Sequence, residues 1–146
     1  MPGMLMFLLI ASAWCGPAQK LPTNFWHVLA EVGFEKTTDK DGVTLELPRF
    51  SKHLQSWNGK KIKLKGYIIP VAEVGDQGKF MLSSLPFNIC YFCGAAGPET
   101  VIEVETTQQV AFSTQAIWME GVLVLNDRDP NHHMYRLRSA KTTTPP

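Results

Sequence analysis

The segment that most restricts this fold runs from Lys60 to Ile69. Asn58-Gly59, a turn signal, launches it, and Lys61, Lys63 and Lys65 then alternate with Ile62, Leu64 and Gly66 before Tyr67-Ile68-Ile69. Successive strand side chains point to opposite faces, so this alternation coats one face with lysine and leaves the other apolar. Gly66 in mid-strand predicts a bulge or sharp coil, as where one strand bends to serve two sheets of a small barrel.

Four more strand signals follow. A hairpin turn from Gly75 to Gly78 leads into Lys79-Phe80-Met81-Leu82, and Thr100 to Glu105 sets Ile102 and Val104 inward with Glu103 and Glu105 outward. Ile117 to Leu125 and Met134 to Arg138 supply the fourth and fifth. Five strands with a long, bent first member predict a mainly β fold, a partly open Greek-key barrel of the OB type over residues 59–140. A sandwich would need about seven strands. Thr106 to Gln115 lies where such barrels often carry a helix, but it is short and β-branched.

Residues 19–58 read as a short helical and extended lead-in. Thr23 caps a helix through Ala30 that sets Trp26, Leu29 and Ala30 on one face, and Gly33 stops it. After a polar turn at Thr37 to Gly42, Val43 to Leu47 alternates as a strand that Pro48 ends, and Ser51 to Trp57 forms one or two helical turns. Residues 141–146 have nothing to bury and read as a disordered tail.

The start of the chain has a different character. Met4 to Ala11 is a short apolar run followed by Ala11-Ser12-Ala13, the small-residue pattern at which signal peptidase cuts, so residues 1–18 read as a signal peptide and the protein as exported. The run is too short to span a bilayer, which takes about 20 apolar residues. Trp14-Cys15-Gly16-Pro17 lacks the second cysteine of a thioredoxin site, and Trp14 fits poorly before Cys15 in a lipid-attachment box, which disfavours a lipid anchor without removing it.

Composition narrows the function. Of 146 residues 45% are hydrophobic, and 14 Lys and Arg face 13 Asp and Glu for a net charge of +1, so there is no strong field to hold a nucleic acid. The lysine row with Tyr67 is accordingly read as a solvated strand face rather than a phosphate-binding one. No nucleophile elbow, phosphate loop or metalloprotease motif appears, and the carboxylates are scattered, so turnover has no support.

The pattern Leu54-x-x-Trp57-x-Gly59-Lys60-x-Ile62-x-Leu64-x-Gly66-Tyr67-x-Ile69-Pro70 resembles an uncharacterised family of exported bacterial domains with a small OB-like β-barrel. The likeness continues through Phe80-Met81-Leu82, Cys90, Glu120-Gly121-x-Leu123 and Tyr135-x-Leu137, covering residues 54 to 140. Some members look like periplasmic or lipid-anchored accessories of metal-uptake systems. The resemblance therefore implies an envelope transporter or another periplasmic protein as partner. This chain departs from the commoner family pattern of one cysteine followed by a histidine and a proline run, so ligands carry over only as far as Cys90.

Cys90-x-x-Cys93-Gly94 is the motif with chemistry in it. Two thiolates at this spacing can face one ion, and the glycine lets the backbone turn its N–H groups toward sulfur, which is half of a structural zinc site. The completing ligands would come from His132, His133, His27, His53, Glu99 or Asp127, and spacing does not choose among them; His132 and His133 are taken first because their loop follows the fourth strand. Asp127-x-Asp129-x-Asn131 is a hydrogen-bonded turn, since His132 stands where a calcium loop needs glycine. The resulting expectation is an exported, non-enzymatic zinc-handling accessory. Its alternatives are a thiol–disulfide exchange component, or a protein-interaction module whose loop is merely stapled.

Overall fold

The computed structural model describes residues 24–69 and 78–146. The expectations placed on the first eighteen residues, on Thr23 and on the Gly75 turn lie outside them. In chain order the elements are α1 (Trp26–Leu29), β1 (Val32–Thr38), β2 (Thr44–Phe50), α2 (Lys52–Gln55), β3 (Lys61–Ile69), β4 (Lys79–Ser83), β5 (Val101–Thr106), β6 (Ile117–Leu125) and β7 (Tyr135–Thr142), with three short 3-10 turns between β4 and β5.

Five strands close into a barrel in the order β3-β4-β5-β7-β6, and β1 and β2 form a separate two-stranded ribbon. Within the barrel β5 and β7 run parallel and the other neighbours antiparallel. The long first strand serves two neighbours, as its glycine predicted: Lys61 to Gly66 pair with β6, and Tyr67 to Ile69 pair with β4. At the changeover a Cβ on Gly66 would sit 2.6 Å from the Ser83 carbonyl oxygen and 2.8 Å from Leu82 Cγ, so the close approach demands glycine. The alternation also holds, with Ile62, Leu64, Gly66 and Ile68 buried and Lys61 and Lys65 exposed.

The lead-in departs from expectation in three places. Helix α1 is a single turn whose buried face is Phe25, Val28 and Leu29; Trp26 instead lies half-buried and donates its indole N–H to the Lys65 carbonyl at 2.8 Å. Gly33 does not stop a helix but sits in β1, a strand that its polar sequence conceals. Pro48 does not end β2, because in a two-stranded ribbon each strand has an open edge where a missing N–H is tolerated. The turn into α2 follows the sequence, with Ser51 Oγ accepting from the Leu54 N–H at 3.0 Å.

Lead-in and barrel share one core. Phe25, Val28, Leu29, Leu54 and Trp57 pack in the same buried cluster as Ile62, Leu82, Val104, Met119, Leu123 and Leu137. Tyr135 ties the two together: it is fully buried, and its hydroxyl donates to the Leu29 carbonyl at 2.6 Å. Strand β7 extends to Thr142, and the Thr143 N–H donates to the Trp118 carbonyl at 2.9 Å, so Lys141 to Thr143 belong to the barrel edge rather than to a tail. Among the described residues no helix is long and apolar enough to cross a membrane.

Candidate functional site

The cysteines lie in the loop joining β4 to β5. Its neck is closed by the Ser84 N–H donating to the Thr100 carbonyl at 2.9 Å, and its backbone is held by 3-10 turns at Phe87–Ile89, Tyr91–Cys93 and Pro98–Thr100. Around the motif the Cys90 carbonyl accepts from the N–H groups of Cys93 at 3.1 Å and Ala95 at 3.4 Å. Gly94 completes the turn at φ +74°, a conformation in which a Cβ is disfavoured. Gly94 makes the turn, but the N–H groups of Cys93, Gly94 and Ala95 donate to the carbonyls of Cys90 and Tyr91 rather than to sulfur.

Both cysteines are free thiols, Cys90 buried and Cys93 exposed. The Cys93 thiol donates to the Phe87 carbonyl at 2.8 Å and interacts directly with Cys90. Desolvation, then the neighbouring Cys90 sulfur, push the Cys93 thiol up from its ordinary range. A raised value favours the protonated thiol over the thiolate that both disulfide exchange and zinc ligation require.

Between the cysteines, Tyr91 and Phe92 are exposed and meet edge to face with ring centroids 5.4 Å apart. With Met81 and Glu103 they line a groove of about 400 Å³ whose remaining lining is Pro130, Asn131, His132 and His133. The tip of the cysteine loop and the histidine pair, some forty positions apart in sequence, therefore share one groove.

The histidine loop is held by Asn126, whose Oδ1 accepts from the Asp129 N–H at 2.9 Å and whose Nδ2 donates to the carbonyls of Asp129 at 2.8 Å and His132 at 3.1 Å. Asp129 accepts from the backbone and side-chain N–H groups of Asn131, both at 3.0 Å, so the Asp- and Asn-rich stretch satisfies itself as a turn. Glu103 fastens this loop to β5: its carboxylate accepts from His132 Nδ1 at 2.8 Å and from the His133 N–H at 3.0 Å.

These bonds orient the two histidines differently. His132 donates its Nδ1 proton to Glu103. His133 Nδ1 accepts from the Tyr135 N–H at 3.2 Å, so the ring proton is on Nε2, a buried atom without a hydrogen-bond partner among the described residues. Burial holds the His133 pKa below the usual histidine range, which keeps the ring neutral.

Among the described residues, one group of three has its ligand atoms within 4.8 Å of one another: Glu103, Glu105 and His132. Its carboxylates are already engaged. Arg136 bonds Glu105 and stands 4.0 Å from Glu103, and Arg138 lies 3.4 Å from Glu105. Burial alone would raise the Glu105 carboxyl, but the Arg136 hydrogen bond and charge, helped by Arg138, bring it below the ordinary range. The two carboxylates of the trio are thus paired with Arg136 and Arg138.

Neither cysteine belongs to such a group, and the structure gives the other sequence candidates separate settings. His53 bonds Glu31 at 2.9 Å and accepts from the Trp57 indole N–H at 3.3 Å; Asp127 lies 3.6 Å from Arg128 beside the ribbon, and Glu99 sits in the last turn of the cysteine loop. On the lysine face, Lys63 and Lys141 stand 3.9 and 3.1 Å from Glu120, a surface balanced by its own carboxylate. Glu103 as the orienter of His132 is the residue that sequence reasoning missed. Its alternation marked it only as outward-facing, and its partners come from a parallel pairing that sets Glu103 opposite Arg136.

No known family matches the chain, and no curated protein matches it. Among solved structures it is similar to a DUF3299 family protein from Pseudomonas aeruginosa PAO1, with 20% identity and a TM-score of 0.47 over 66% of this chain and 68% of that one.

Proposed function

We propose that this chain is an exported, non-enzymatic binding protein of the bacterial envelope, built on an OB-like barrel, that handles zinc through the Cys90–Cys93 loop. The observation that carries the reading is the pair of free, interacting thiols on one turn closed by Gly94 at φ +74°. That arrangement sets two soft ligands, Cys90 buried and Cys93 exposed, in a loop outside the barrel ladders, and zinc binding would release both thiol protons. The barrel order supports the OB-like Greek-key reading, because the third barrel strand pairs with the fifth rather than the fourth. An envelope transporter or another periplasmic protein is the partner that such an accessory would serve.

Native mass spectrometry of the mature protein, purified from the envelope without chelator, tests this. The expected spectrum shows the chain plus one zinc less two protons, and Cys90→Ser or Cys93→Ser loses that increment. A zinc-free mass two hydrogens short would place the pair in a disulfide and overturn the reading.

A further inference from the structure

Two stretches of the chain carry no ionisable acid or base of the Asp, Glu, Lys, Arg or His type: residues 83–98, in the loop after β4, and residues 106–119, from the last residue of β5 into the start of β6. Solvated loops ordinarily hold charge, and these instead hold bare apolar side chains. Phe112 is 61% exposed, Phe87 53% and Ile89 45%. Phe87 and Phe112 come together with Tyr67, Pro86 and Thr114 around a cavity of about 190 Å³, so the two loops present one apolar surface. The backbone behind Phe87 and Ile89 is closed on itself, the Ile89 N–H donating to the Pro86 carbonyl at 3.0 Å and the Cys90 N–H to the Phe87 carbonyl at 3.4 Å. That satisfies polar groups which would otherwise resist leaving water.

Behind this surface the side chains change character in order. Tyr67, which lines the cavity, follows the exposed Lys65 by two residues, so the two lie on the same outer face of β3. Apolar tips, then a phenol, then a cation is the order in which a bilayer passes from acyl chain to headgroup phosphate. A protein partner calls for a rim of hydrogen bonds and matched charges, which two uncharged loops do not offer. We infer that this surface docks peripherally on a phospholipid bilayer, with Phe87, Ile89 and Phe112 entering the interface and Lys65 meeting phosphate oxygens. The contact needs no spanning segment and is independent of any metal at the cysteines.

The test is co-sedimentation of the mature protein with vesicles of phosphatidylcholine and phosphatidylglycerol in equal parts. The unaltered protein is compared with the loop pair Phe87→Ser/Phe112→Ser and with a control pair, Phe34→Ser/Leu45→Ser, on the ribbon, where the side chains are exposed to a similar degree. The loop pair should lower partition about tenfold or more and the ribbon pair by no more than about twofold. Lys65→Ala should lower binding to these vesicles about fivefold and leave binding to phosphatidylcholine alone unchanged. Absent partition, or equal losses for the two pairs, would overturn the inference. Self-association without vesicles that the loop pair abolishes would overturn it too, by giving the surface to a second copy of the chain. If the loop variants fail to fold, amide NMR of the unaltered protein with nitroxide-labelled lipid decides: signals of residues 87–89 and 111–113 must broaden and those of β2 must not.

Discussion

Tyr135→Phe probes the bond that makes lead-in and barrel one folding unit. The ring stays buried and keeps its contact with Phe50, whose centroid lies 5.9 Å away, so little apolar burial is lost. What is lost is the hydroxyl that donates to the Leu29 carbonyl at 2.6 Å, leaving that carbonyl facing a phenyl edge. Burial pushes the Tyr135 phenol well above its usual range, so the proton is in place at any ordinary pH and the bond is not titrated away. Stranding a buried acceptor costs about 1–3 kcal/mol. For a chain of this size each kcal/mol lowers Tm by about 3–4 °C, so the variant should melt roughly 3–12 °C lower. Urea unfolding gives the free energy, and native-state hydrogen exchange shows where it is felt. Residues 25–57 and the barrel strands should lose protection together, because Phe25, Leu29, Leu54 and Trp57 share the barrel core. A change below about 0.5 kcal/mol, or a lead-in that opens while barrel protection is unchanged, would refute the single-core argument.

Two further perturbations test the barrel. Gly66→Ala drives a Cβ to 2.6 Å from the Ser83 carbonyl and should cost about 2–3 kcal/mol by urea unfolding. Gly42→Ala, in open space at φ +81°, should cost about 1 kcal/mol by the same assay; equal losses would contradict the close-approach reading of Gly66. Acidification should weaken the fold through the outer carboxylates. Glu120 is held below the usual carboxylate range, first by its hydrogen bond to Lys141 and against some desolvation, and Glu105 is also lowered. A depressed carboxylate contributes stability that is complete above the unfolded value and is lost as pH falls through the folded one. Urea unfolding should therefore show stability flat for these groups above about pH 5 and falling below about pH 4.5, with Lys141→Ala flattening the acid limb; a slope unchanged by that substitution would contradict the assignment.

Where local pattern and tertiary demand agreed, the fold was legible. The lysine alternation of β3, the inward Ile102 and Val104 of β5 and the limits of β6 all follow from side chains that must choose between core and water. Strand β1 was not legible, because Val32 and Phe34 are its only apolar residues and its pairing with β2 supplies what its own sequence lacks. Pro48 misled for the related reason that an open edge forgives a missing donor. The candidate site divides in the same way. Cys90, Cys93 and Gly94 lie close enough in sequence for spacing to expose their turn. The contrast between His132 and His133 depends on which ring nitrogen Glu103 and the Tyr135 N–H engage, and that depends on β5 lying beside β7.

The central claim is that this loop holds zinc on sulfur. X-ray absorption of the zinc-loaded full chain tests it most directly, because the first shell reports ligand type without any substitution. Two sulfurs at about 2.3 Å are what the account predicts. A shell of nitrogen and oxygen alone would contradict it.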